Sequence, residues 1–200
     1  MFSSIWKYIL VTRPWSFTMS LVSVTVGTLL AAEDGPVDWF WFAVAAVGIV
    51  LFHAAANVIN DYFDTLYRID QPDSPTVKYR PQPIISGMLT PRQVLWEAVL
   101  LFSLPIVIGR ATALMRSYHV LWIGVIGLLT SIFYTAGPVK FKYRALGEFA
   151  VFMMWGPLMV EGAYAVQRQA LSVKALYMSI PFGLLVALVI FANNMRDIDY

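Results

Sequence analysis

The residues best suited to chemistry lie in the stretch 53–70, His-Ala-Ala-Ala-Asn-Val-Ile-Asn-Asp-Tyr-Phe-Asp-Thr-Leu-Tyr-Arg-Ile-Asp, which continues an apolar run beginning at Trp39. A helix turns about 100° per residue, so with Asn57 at zero, His53, Asn60, Asp61, Asp64 and Arg68 fall within roughly 60° of it. One narrow face of an apolar helix thus carries two amides, two carboxylates, an imidazole and a guanidinium. Asp70 misses that face and joins it only if the helix ends first. Polar groups gathered on an apolar helix are costly to bury and mark a functional site by default. A solvated helix end is the bland alternative, but solvation alone does not align such residues.

A second cluster closes the chain. Asn193 and Asp197 are one turn apart and Tyr200 shares their face. Carboxylates and amide oxygens facing one another favour a hard cation such as Mg²⁺, which takes one or two protein carboxylates and leaves its other positions to water and phosphate. Lys78, Arg80, Lys140, Lys142 and Arg144 supply cations for phosphate oxygens. Arg68 either holds Asp64 or binds phosphate. A metal-bound phosphate beside an apolar cavity points to a lipid diphosphate, with Tyr62, Phe63, Phe133 and Tyr134 as aromatic faces for an allylic cation or as ordinary packing.

The elements that must position these groups are membrane helices. The chain is 59% hydrophobic and 13% charged, the profile of an integral membrane protein. Its lack of cysteine excludes disulfides and thiolate metal sites, its two distant histidines argue against zinc, and its net charge of +2 is small. No nucleic-acid partner is expected.

The start, 1–13, reads as an interfacial amphipathic segment. Apolar spans follow at about 15–32, from 39 into the polar face, and at about 91–108, 119–135, 146–166 and 175–192. The loop 65–90 is long enough to be functional. Thr90-Pro-Arg-Gln93 predicts a capping box. Residues 110–118 are expected to be a link and 137–144 a basic turn. No cap, proline or polar tail ends the last helix, so a continuation past 200 is expected. With about six spans, ten basic residues fall on the side of the polar face and four on the other, which places the N-terminus and the site loops in the cytoplasm.

Other residues have blander readings. His53 is expected to be a satisfied structural histidine. Glu148 pairs with Arg144 at i, i+4, and Glu161 is a weaker candidate for the site. Gly27, Gly48, Gly124 and Gly127 permit close helix packing.

Asn60-Asp-Tyr-Phe-Asp64 resembles the N-D-x-x-D signature of the UbiA superfamily of intramembrane prenyltransferases, and 193–197 resembles the start of its second aspartate motif. The segments 134–148 and 156–162 are similar to the branch that prenylates 1,4-dihydroxy-2-naphthoate in menaquinone synthesis. The resemblance implies an all-α, polytopic transmembrane bundle with about six of roughly nine spans present, the chain 1–200 forming one membrane-embedded domain. It implies Mg²⁺ and diphosphate held by Asn60, Asp61, Asp64 and Asp197, with Asp61, Asp64 and Asp197 catalytic. Asn57, Arg68, Lys78, Arg80, Tyr134, Lys140 and Asn193 would bind substrate. The partners are a polyprenyl diphosphate, an aromatic acceptor and the bilayer, in an inner or cell membrane. Other acceptors (hydroxybenzoate, homogentisate, chlorin, haem, glycerol phosphate) and a cation-coupled transporter remain alternatives.

Overall fold

The computed structural model describes residues 4–73, 77–78, 80 and 82–196. Its elements are helical. A short α1 (Ser4–Val11) leads through a 3₁₀ turn at Pro14–Ser16 into α2 (Phe17–Glu33), α3 (Trp39–Leu66), α4 (Pro91–Met115), α5 (His119–Thr135), α6 (Gly147–Arg168) and α7 (Val173–Arg196). Five of these are long and apolar enough to cross a membrane, and α5, with 17 residues, lies at the short end of the spanning range. Leu100, Val107, Leu114, Leu184, Leu185 and Leu188 are exposed, so the outer surface is apolar, as a lipid-facing surface must be.

Local chemistry sets the helix ends. The Asp38 carboxylate caps α3 by accepting from the N–H groups of Phe40 at 3.1 Å and Trp41 at 3.3 Å. The capping box at α4 is present: Gln93 N–H donates to Thr90 Oγ1 at 3.3 Å, and Thr90 N–H donates to Gln93 Oε1 at 2.8 Å. Two expectations are corrected. Helix α4 runs to Met115, so the link expected at 110–118 shrinks to a few residues; the Thr112 hydroxyl folds back onto Ile108 O at 2.9 Å and adds no polar break. Glu148 does not pair with Arg144. Helix α6 begins only at Gly147, so the i, i+4 relation never forms, and Glu148 instead accepts from Asn194 at 2.7 Å.

Small residues bring the helices close. A Cβ on Gly27 would lie 2.8 Å from Ala163 Cβ, and one on Gly183 would lie 2.9 Å from Phe152. Gly27 therefore is a packing glycine, joining α2 to α6. Gly124 is not: a Cβ there meets nothing within 4 Å. Helix α6 widens at Met154–Leu158 into a π turn that contains Pro157, and the Trp155 carbonyl within it accepts from Ser23 at 2.7 Å.

Polar bonds close the end of the bundle farthest from Asp61. Arg168 donates to the carbonyls of Ala31, Gly35 and Pro36, and Tyr164 donates to Asp34 at 2.6 Å. Gln167 exchanges bonds of 2.9 and 3.0 Å with the Asp38 backbone, while Arg116 donates to Val166 O and Gln167 O. Glu161 accepts from Ser172 N–H at 3.1 Å, a structural role at this same end. Because Gly27 has no space for a side chain, Gly27→Leu should destabilise the bundle by about 1–3 kcal/mol through overpacking. A fall in melting temperature in detergent checks this, with Gly124→Leu as the tolerated control.

Candidate functional site

The polar end of α3 is built by three chain segments folding onto it. Asn57 Nδ2 donates to Thr12 O at 2.9 Å and to Ser16 Oγ at 3.2 Å, which seats the turn after α1 against α3. Arg13, held at φ 57° in that turn, donates to Asp61. From the 67–90 loop, Arg80 reaches the same carboxylate with both forks, at 2.8 and 3.2 Å. Gln82 steers it there: fully buried, it donates to Asp61 O and Thr65 Oγ1 and accepts from the N–H groups of Ile84 and Ile85. From the basic turn, Lys142 donates to Asp64 at 2.8 Å, and the Tyr143 hydroxyl donates to the other oxygen. Asn60 accepts from Thr135 at 3.0 Å.

Helix α3 ends at Leu66, which frees the chain to fold Asp70 back: its N–H donates to Asp64 O at 3.3 Å. Asp70 is buried, and its Oδ2 has no hydrogen-bond partner among the described residues. Burial, then the Asp64 charge, raises its pKa. Burial opposes the Arg13 charge, but the charge and hydrogen bond of Asp61, together with the charges of Asp64 and Asp70, raise its pKa. Arg80 moves the other way, lowered by burial and by the neighbouring Arg13. Burial and Asp64 also raise the Tyr143 pKa, keeping its hydroxyl a donor.

These groups border a cavity of ≈ 850 Å³. Arg13, Asn57, Asn60, Asp64, Asp70, Arg80, Tyr134 and Lys142 line its polar end, and Asn193 reaches it from α7. Phe52, Met154, Met159 and Val186 form apolar wall. Asp61 has no exposed surface and stands behind the two arginines rather than on the wall. Other predicted site residues are not gathered. Arg68 leaves the helical face because α3 has ended; it sits at φ 57° and is exposed. Lys78 is exposed and off the wall. Lys140 lies over the Tyr67 ring, 3.6 Å from its centroid, and docks its turn there. Asp197 and Tyr200 lie outside the described residues.

His53 meets its structural expectation. Its ring nitrogens bond Ser20 at 2.8 Å and Ser16 at 3.3 Å, and it packs edge-on against Trp155. Arg13, Tyr143, Gln82 and Trp155 escaped sequence reading. Only Arg13 carried a signal, as a cation just before the first span. Since Asp61 is fully buried, removing both of its partners should be much worse than removing either. Arg13→Met and Arg80→Met should each lower stability modestly, and the double variant should lose about 3–5 kcal/mol, because an unpaired carboxylate then stays buried. Detergent melts of the four proteins check this.

The comparisons agree with the architecture. A solved structure described as digeranylgeranylglyceryl phosphate synthase in membranes superimposes with a TM-score of 0.72, covering 98% of this chain and 64% of that one, at 18% identity. At that identity the likeness concerns the fold. "UbiA prenyltransferase domain-containing protein 1" is 33% identical over 196 residues in Xenopus tropicalis, 34% over 196 in Danio rerio and 33% over 197 in Homo sapiens. The chain spans 55–56% of the length of these relatives, while they match 96% of it. Residues 20–200 match the UbiA prenyltransferase family. A bundle of apolar helices with paired carboxylates at one end is therefore an integral membrane protein, and the chain belongs to the UbiA prenyltransferase family.

Proposed function

We propose that the whole protein transfers a polyprenyl group from an isoprenoid diphosphate to an aromatic acceptor. One observation carries this reading: a single cavity has Asp64, Asp70, Arg13, Arg80 and Lys142 at one end and apolar wall at the other. Such a cavity suits a substrate that is anionic at one end and greasy along the rest. The donor set also fits Mg²⁺: hard oxygens from Asn60 and Asp64, together with the orphaned Asp70 Oδ2, leave positions for phosphate. Asp61 joins that set once its arginines find another anion, and Asp197 is assigned to it from the motif alone. The bound ion would neutralise charge gathering on the departing pyrophosphate.

The protein's own groups do the rest. Arg13 and Arg80 turn from Asp61 toward the diphosphate, with Lys142 beside them. Lys78, Arg68 and Lys140 are assigned to outer capture of phosphate. The allylic C–O bond breaks, and its electron pair leaves with pyrophosphate. Of the aromatics named from sequence, Tyr134 borders the cavity, and Trp155 stands beside it to face the allylic cation. The acceptor ring supplies a π pair for the new C–C bond. In 1,4-dihydroxy-2-naphthoate, the acceptor favoured by the 134–148 and 156–162 segments, the ring then loses carbon dioxide. The ten-to-four basic bias supports a cytoplasmic N-terminus and site. A cation-coupled transporter would hold its carboxylates near the bilayer midplane, whereas Asp61 and Asp64 stand at the end of α3.

In membranes carrying the whole protein, Asp64→Asn should lower pyrophosphate release from geranylgeranyl diphosphate by about 10²-fold or more. EDTA should abolish release and Mg²⁺ restore it. Mass spectrometry with a panel of aromatic acids identifies the acceptor; unchanged release in Asp64→Asn would refute the role given to that carboxylate.

A further inference from the structure

A groove between α1 and α4 stands apart from the main cavity, with which it shares no lining residue among those described. It has a volume of ≈ 670 Å³ and is lined by Tyr8 of α1 and by Arg92, Trp96, Glu97, Leu100 and Leu101 of α4. Val11, Val94 and Ala98 hold the two helices together in one buried cluster, against which Tyr8 packs.

Glu97 is the residue that packing does not explain. It sits six residues into α4, about 9 Å along the helix from Pro91. A carboxylate on an apolar helix is costly unless something meets it. Its Oε2 is buried and has no hydrogen-bond partner among the described residues. Thr90 and Gln93, which also border the groove, are engaged with each other in the capping box. Arg92 brings the opposite charge to the outer end of the groove. Trp96 and Leu100, each 62% exposed, turn the groove toward the surrounding lipid.

This combination selects its ligand. An acceptor oxygen without a donor calls for an N–H group. A guanidinium suits phosphate, and the rings of Tyr8 and Trp96 attract a cation. Leu100 and Leu101 offer apolar surface for an acyl chain. A choline head group has no N–H to give, and a glycerol head group has no positive charge.

We propose that the groove binds one phospholipid whose head group ends in a primary ammonium. The phosphate lies outermost, at Arg92. Two arms leave it through separate ester bonds: the ammonium arm bends to Glu97, and the glycerol arm carries the acyl chains past Leu100 and Leu101. Each charge of the head group thereby meets its opposite. This binding is independent of the prenyl-transfer reading.

The test uses the whole protein, stripped of lipid in detergent and titrated with phosphatidylethanolamine, phosphatidylcholine and phosphatidylglycerol of the same acyl chains. Native mass spectrometry counts the lipid bound. The first phosphatidylethanolamine should bind about tenfold more tightly than either of the others. Glu97→Gln should reduce it to the level of phosphatidylcholine. Arg92→Gln should weaken all three lipids and keep the preference for ethanolamine. In the unaltered protein, phosphatidylethanolamine with a diazirine near its glycerol should label Trp96, Leu100 or Leu101, a readout that needs no variant to fold. Equal binding of the ethanolamine and choline lipids, or a preference that survives Glu97→Gln, would overturn the proposal. Phosphatidylglycerol binding as tightly as phosphatidylethanolamine would reduce the groove to an anion site and overturn it too, as would label chiefly on Leu184, Leu185 and Leu188 of α7.

Discussion

Two carboxylates one turn apart at the end of a membrane helix cannot stay charged there alone. Isolated, each would face a desolvation penalty of several kcal/mol. The fold answers by bringing three otherwise unrelated segments to them: the turn after α1 with Arg13, the 67–90 loop with Arg80, and the 137–146 turn with Lys142 and Tyr143. The same ion pairs therefore organise the polar end of the bundle and assemble the cations that border its cavity. Stability and site share one set of bonds.

That sharing explains the division of labour between Asp61 and Asp64. Asp61 is wholly enclosed and holds two guanidinium groups in place. Asp64 and Asp70 border the open space, and one Asp70 oxygen has no hydrogen-bond partner among the described residues. Cations that satisfy Asp61 and Asp64 keep those charges compensated, and in the proposed prenyl transfer they would pass to phosphate. At the opposite end the solution is different: backbone carbonyls, the Gln167 amide and two arginines interlock, leaving no comparable open cluster among the described residues. The bundle is thus latched at one end and polarised for binding at the other.

Much of the helical architecture was legible because a bilayer imposes length and hydropathy so strictly. The Thr90–Gln93 box was legible because capping is local, and the start of α3 because its apolar run begins at Trp39. The cations were read less well. Arg68, Lys78, Lys140 and Lys142 look alike in sequence, yet Lys142 reaches Asp64, Lys140 settles on the Tyr67 ring, and Arg68 turns away after α3 stops. Glycines were similarly ambiguous: Gly27 is pressed against α6 and Gly124 faces empty space.

The sequence by itself determined which residues are apolar enough to enter lipid, and that Asn57, Asn60, Asp61 and Asp64 share one helical face, because helix periodicity and hydropathy are properties of neighbouring residues. Tertiary structure decided which distant cation meets which carboxylate, that Asp61 lies behind its arginines while Asp70 folds back to the cavity, and which glycines leave space. Those outcomes depend on where segments far apart in the chain come to rest, and no local pattern encodes that distance.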